Sequence, residues 1–122
     1  MKYLLMICFN DDTWDALSEA EHQDVFQAHA EFQKLITESG EMLGTEALAG
    51  PSHSVTVRVR DEAPMITDGP FVESKEYLAG YYLVDCDSRA RAAELATMLP
   101  EAKFAAIEVR PLMNFDGADV IG

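Results

Sequence analysis

The side chains of this sequence best suited to chemistry are His29 and the acidic stretch around Asp68. An imidazole gives or takes a proton near neutrality, and a carboxylate beside it fixes its tautomer, so a histidine–carboxylate pair is a general acid–base centre. His29 follows Val25 by four positions and precedes Phe32 by three. On a helix that spacing puts it on the apolar stripe, pointing at a sheet. The competing reading is a core histidine satisfied by a backbone carbonyl. His22 lies one heptad earlier and is expected to face solvent, while His53 sits in a turn beside Pro51. Three histidines without fixed spacing or a cysteine partner make a poor ligand set, so no metal is expected.

The ten residues Thr67-Asp68-Gly69-Pro70-Phe71-Val72-Glu73-Ser74-Lys75-Glu76 form the most distinctive stretch. Asp, Gly and Pro in succession are ordinary turn chemistry and need no function. The stretch also gathers carboxylates and a lysine beside a strand edge. A loop presenting Asp68, Glu73 and Phe71, with Lys75 and Arg58 as cations, could bind a polar ligand group. Cys8, in an apolar run, and Cys86, between Asp85 and Asp87, read as structural thiols. No phosphate loop, nucleophile elbow, haem or flavin motif is present, and no cofactor is expected.

The elements that must position these residues can be read from periodicity. Tyr3 to Phe9 is a continuous apolar run, consistent with a strand covered on both faces. Ser18 with Glu21 makes a capping box, and Val25, His29, Phe32, Leu35 and Ile36 then recur at helical spacing until Gly40. Met42 to Leu48 is a second strand. Val55, Val57 and Val59 alternate with polar residues as a half-buried strand, and a turn at Asp61 to Pro64 leads into a short strand at Met65 to Thr67. Leu78 to Val84 is a buried strand in which Gly80 allows a neighbour to come close. Ser88 caps a helix through Met98, ended by Pro100, and Phe104 to Val109 is the last strand. The order β-α-β, hairpin, β-α-β predicts an α+β, ferredoxin-like domain over residues 1–113 with a loose tail at 114–122. Strands apolar on both faces in so small a sheet predict a homodimer packed sheet against sheet.

Composition agrees with one soluble domain. The chain has 122 residues, 48% hydrophobic and 25% charged, and a net charge of −13. That charge repels phosphate backbones and anionic lipid, so neither nucleic acid nor a membrane is an expected partner. The apolar N-terminal run is too short for a signal core or a membrane span, and the protein is expected to be cytoplasmic.

Asp68-Gly69-Pro70-Phe71 followed by Glu73, Lys75-Glu76 and Gly80 resembles the signature of the YCII-related family, in its DGPF-motif branch. The likeness extends to the Met1-Lys2-Tyr3 opening, the first helix, Val55 to Arg60 and the closing Glu108-Val109-Arg110-Pro111-Leu112. It implies a ferredoxin-like fold of the dimeric α/β-barrel group. Some relatives look like small enzymes on ring-derived compounds, such as lactone dehalogenases, with a His–Asp pair as the proposed centre. His29 falls where they keep their histidine. Their second helix often ends in Asp-Pro, whereas Leu99 precedes Pro100 here, which leaves Asp68 as the candidate carboxylate. On this reading the protein is a cofactor-independent isomerase, lyase or dehalogenase acting on a small organic molecule. His29 moves a proton, Asp68 orients it, and Arg58 or Lys75 supplies positive charge. The alternative is a non-catalytic binding or regulatory dimer linked to extracytoplasmic-function sigma factors, beside which DGPF proteins resemble encoded partners. A cofactor-free monooxygenase ranks last.

Overall fold

The computed structural model describes residues 1–113, and the expected tail at 114–122 lies outside them. Strand β1 spans Lys2–Phe9, α1 Asp11–Ala16, α2 Glu19–Glu38 and β2 Met42–Ala47. Strands β3 (Val55–Arg60) and β4 (Ala63–Asp68) follow, then β5 (Tyr77–Asp85), α3 (Arg89–Thr97), α4 (Glu101–Phe104) and β6 (Ala106–Pro111). The main sheet runs β2-β5-β1-β6, with antiparallel pairing at each step. Chain order and sheet order together give the split β-α-β arrangement of a ferredoxin-like α+β fold.

Alternation sets the core. Tyr3, Leu5, Ile7 and Phe9 of β1 are buried, as are Tyr82 and Val84 of β5. Phe32 and Ile36 of α2 and Leu95 of α3 pack on them in one cluster. Helix α2 starts where its capping box is formed: Ser18 Oγ accepts from Glu21 N at 3.1 Å, and Ser18 N donates to the Glu21 carboxylate at 3.0 Å. It ends before Gly40, whose φ of +80° suits glycine alone among common residues. Leu35, expected on the apolar stripe, is exposed: it lies just outside the arc held by Phe32 and Ile36.

Gly80 does what its place in β5 predicts. A Cβ there would meet Glu46 O of β2 at 2.9 Å, so only glycine lets the two strands close. The β3–β4 hairpin differs from expectation. It forms its own two-stranded sheet, and Val55, Val57 and Val59 are 58–60% exposed instead of half-buried. Its register pairs Val57 with Ile66, and no layer of the described chain covers that face. The turn is tighter than expected, with Asp61 and Glu62 both at positive φ (51° and 63°), as a two-residue hairpin requires. Two helical turns were not anticipated. Helix α1 is capped by Asn10, and α4 interrupts what the sequence reads as the start of the last strand.

Candidate acid–base site

His29 reaches the sheet as its spacing predicts, and the partners it meets there come from two other elements, β5 and α4. Its Nδ1 lies 2.8 Å from the hydroxyl of Tyr82 on β5. Its Nε2 lies 2.7 and 2.9 Å from the two oxygens of Glu101 on α4. Gln33, one helical turn after His29, donates from Nε2 to the Tyr82 hydroxyl at 3.2 Å. The Glu101 side chain is 11% exposed and that of His29 18%.

For a neutral imidazole these contacts set the direction of each hydrogen bond: a carboxylate only accepts, so Nε2 of His29 carries the hydrogen and Nδ1 is the bare nitrogen. Tyr82 therefore donates to Nδ1 and accepts from Gln33. Burial pushes the Tyr82 phenol above its ordinary value, which keeps that donor protonated. The chain Gln33 → Tyr82 → His29 → Glu101 is thus polarised one way, ending on the carboxylate. Packing holds it in place: the His29 and Tyr82 rings are stacked within 7° of parallel, and Phe32 meets Tyr82 edge-on at 4.9 Å.

Glu101 arrives by local backbone chemistry. Leu99 is 1% exposed and anchors the end of α3 in the core. Pro100 sets φ at −63° and opens the single turn of α4, closed by Ala105 N on Glu101 O at 2.8 Å. The residue after that proline is thereby brought against His29.

A cavity of about 520 Å³ opens beside the pair, with His29, Gln33, Tyr82 and Glu101 in its wall. Phe9, Trp14, Phe26 and Tyr77 supply its aromatic surface, and Glu46 a second carboxylate. Trp14 of α1 sits between Phe9 and Phe26 (centroids at 6.1 and 5.8 Å) and stacks on His22 at 4.0 Å. His22, expected to face solvent, donates from Nε2 to the Trp14 carbonyl at 2.8 Å.

The other residues singled out in the sequence lie elsewhere. Asp68 ends β4, exposed and paired in the ladder with Val55; it does not line the cavity, and His29 takes its carboxylate from Glu101. Gly69 at φ +97° makes the turn, its N donating to Ser54 O at 2.7 Å and its O accepting from Thr56 Oγ1 at 2.8 Å. Arg58 lies over the exposed Phe71 ring at 4.7 Å. Glu73 and Lys75 border a separate depression.

The second half of the signature grips α1. Lys75 reaches Asp12 at 3.5 Å, Glu76 accepts from Asn10 Nδ2 at 3.1 Å, and the Tyr77 hydroxyl donates to Asp11. That last bond pushes the Tyr77 phenol up to about 12. The Lys75 pair is exposed and contributes little, but Asn10 is buried and also caps α1 by accepting from Thr13 N at 2.8 Å. The stretch that reads as a candidate site therefore acts on the cavity indirectly, by holding the helix that carries Trp14.

Residues 1–116 match the model of the YCII-related domain. The chain belongs to the YCII-related family. A relative from Rhizobium meliloti (strain 1021), an uncharacterized protein, is 33% identical over 110 residues, spanning 88% of this chain and 89% of the relative. In this YCII-related chain both cysteines are free, and burial raises both thiols above the ordinary value, as expected of structural cysteines. Among the described residues no group of three or more His, Cys, Asp or Glu is placed to hold a metal, and no helix is long and apolar enough to cross a membrane.

Glu101 is the site residue that the sequence reading passed over. Its signal was available: a carboxylate immediately after Pro100, the proline that ends the second helix.

Proposed function

We propose that this YCII-related chain is a cofactor-independent acid–base enzyme of the isomerase, lyase or dehalogenase kind, acting on a small organic molecule. The observation that carries this reading is the 2.7 Å contact of His29 Nε2 with Glu101 Oε2 in the wall of the cavity. Apolar residues of similar volume usually serve stability as well as a buried ionisable pair does, so such a pair in a cavity wall points to chemistry. Both nitrogens of His29 are already committed, whereas a carboxylate has lone pairs to spare. Glu101 is therefore the proton acceptor and His29 its positioning residue, with Tyr82 holding the imidazole. In the step envisaged, a C–H bond beside a carbonyl breaks, the proton goes to a Glu101 oxygen, and the electron pair enters the carbonyl as an enolate. Return of the proton at another carbon completes an isomerisation; departure of a β-halide as its anion completes an elimination.

Deuterium exchange from D2O into a panel of cyclic ketones and lactones, followed by NMR, tests the reading. The wild-type protein is expected to exchange at least one of them above the buffer rate, and Glu101→Gln to lose that rate by about 100-fold or more. No exchange over buffer, or equal exchange by the variant, overturns it.

A second reading has its own observation. Val55, Val57, Val59 and Ile66 form one apolar hairpin face, each at least 58% exposed, and a lone two-stranded hairpin is marginal in water. On this reading the chain is a DGPF-branch homodimer of the dimeric α/β-barrel type, cytoplasmic, and serves as a binding or regulatory partner of an extracytoplasmic-function sigma factor. Sedimentation of the wild type as a dimer and of Ile66→Asp as a monomer supports the assembly. Sigma-factor co-purification retained by His29→Ala supports the regulatory role, and its absence from wild type refutes that role.

A further inference from the structure

The cavity beside His29 has aromatic and aliphatic walls and two carboxylates, Glu101 and Glu46, and its lining contains neither lysine nor arginine. None of the chain's nine lysines and arginines lines the cavity, and four of them engage other groups. Arg91 binds Glu41 and Glu94, Arg110 binds Glu108, Lys75 faces Asp12, and Arg58 covers Phe71. A carboxylate-bearing ligand entering the cavity would leave water for a space with no counter-charge and come to rest near Glu101. Transfer of an unpaired anion out of water is strongly unfavourable, and a like charge at the site adds to it. A protonated amine meets the reverse conditions, since Glu101 and Glu46 supply negative charge and the rings of Trp14 and Phe26 attract cations. An uncharged ring needs only the aromatic walls, and the cavity's volume of about 520 Å³ suits a small molecule.

We propose that this cavity selects uncharged or amine-bearing ring compounds and rejects carboxylates. The inference rests on reading the cavity as the substrate site, and it moves the expected ligand away from the anion for which Arg58 and Lys75 were candidates.

Trp14, the single tryptophan of the chain, lies in the cavity wall and reports binding by its fluorescence. The full-length protein is titrated at pH 7 with benzyl alcohol, benzylamine and benzoate, which share a ring and differ in charge. Saturable changes are expected with the first two, and binding of benzoate weaker than that of benzyl alcohol by tenfold or more. Glu101→Gln should reduce any advantage of benzylamine over benzyl alcohol, and Glu101→Gln combined with Glu46→Gln should abolish it. Leu48→Lys, at an exposed position of the cavity lining, should admit benzoate. Benzoate binding as tightly as benzyl alcohol in the wild type overturns the proposal, as does a Trp14 signal indifferent to all three. The deuterium-exchange experiment fails or succeeds independently. Loss of exchange with this ranking intact refutes the proton-transfer step alone, and a reversed ranking with exchange intact refutes the selectivity alone.

Discussion

His29 and Glu101, 72 positions apart in the chain, meet with Nε2 2.7 Å from Oε2 and close a hydrogen-bonded path that joins α2, β5 and α4. Glu101→Gln tests both sides of that contact. The amide keeps the shape but loses the charge and the obligatory acceptor pair. Thermal and urea denaturation should show a loss of about 1–3 kcal/mol, the cost of leaving a half-buried donor poorly matched.

Tyr82→Phe removes the donor to Nδ1 while leaving the ring packed on Phe32. About 1 kcal/mol of stability should be lost. The diagnostic readout is the ¹⁵N spectrum of His29: the wild type should show Nε2 as the protonated nitrogen, and the variant a partial population of the other tautomer. Gln33→Leu, which leaves the Tyr82–His29 bond in place, should preserve the wild-type tautomer.

Gly80→Ala places a methyl 2.9 Å from the Glu46 carbonyl oxygen. Backbone atoms of a paired strand do not yield easily, so β2 must shift away from β5. Urea unfolding should report a loss of roughly 1–3 kcal/mol, and the shift should blunt the Trp14 response to benzyl alcohol, because Gly80, Thr45 and Ala47 all line the cavity.

Acid should release α3 from the strand edge. Arg91 donates to both oxygens of Glu41 at 2.9 and 3.0 Å and holds that carboxyl below its ordinary value. A group whose folded value is depressed contributes stability that is present above its unfolded value, near 4.3, and lost as the pH falls through the lower folded one. The stability–pH curve should therefore drop below about pH 4.3. Glu41→Gln should flatten that limb and leave the neutral-pH slope alone.

The sequence is most legible where one local rule decides the outcome. The Ser18–Glu21 capping box, the alternation of β1, the close approach at Gly80 and the inward aim of His29 each follow from spacing or residue type within a few positions. The carboxylate facing His29 is a different matter. Glu101 is charged, exposed by type and 72 residues away, and only the turn opened by Pro100 brings it inward. Asp68 drew attention because its neighbours are distinctive, yet those residues make a turn and clasp α1. The exposure of Val57 and Ile66 was illegible for a related reason: alternation reports that a strand has an apolar face, and says nothing of whether its own chain covers it.

The path from Gln33 to Glu101 sets a trade-off for anyone wishing to harden this molecule. The four side chains that fasten α2, β5 and α4 are the same four that form the polar wall of the cavity. Replacing them with close-fitting apolar residues is the obvious route to a more robust protein, and it would strip the cavity wall of the polar groups that set its chemistry. Robustness has to be sought on the far edge, around β6 and α3, where no such double duty exists.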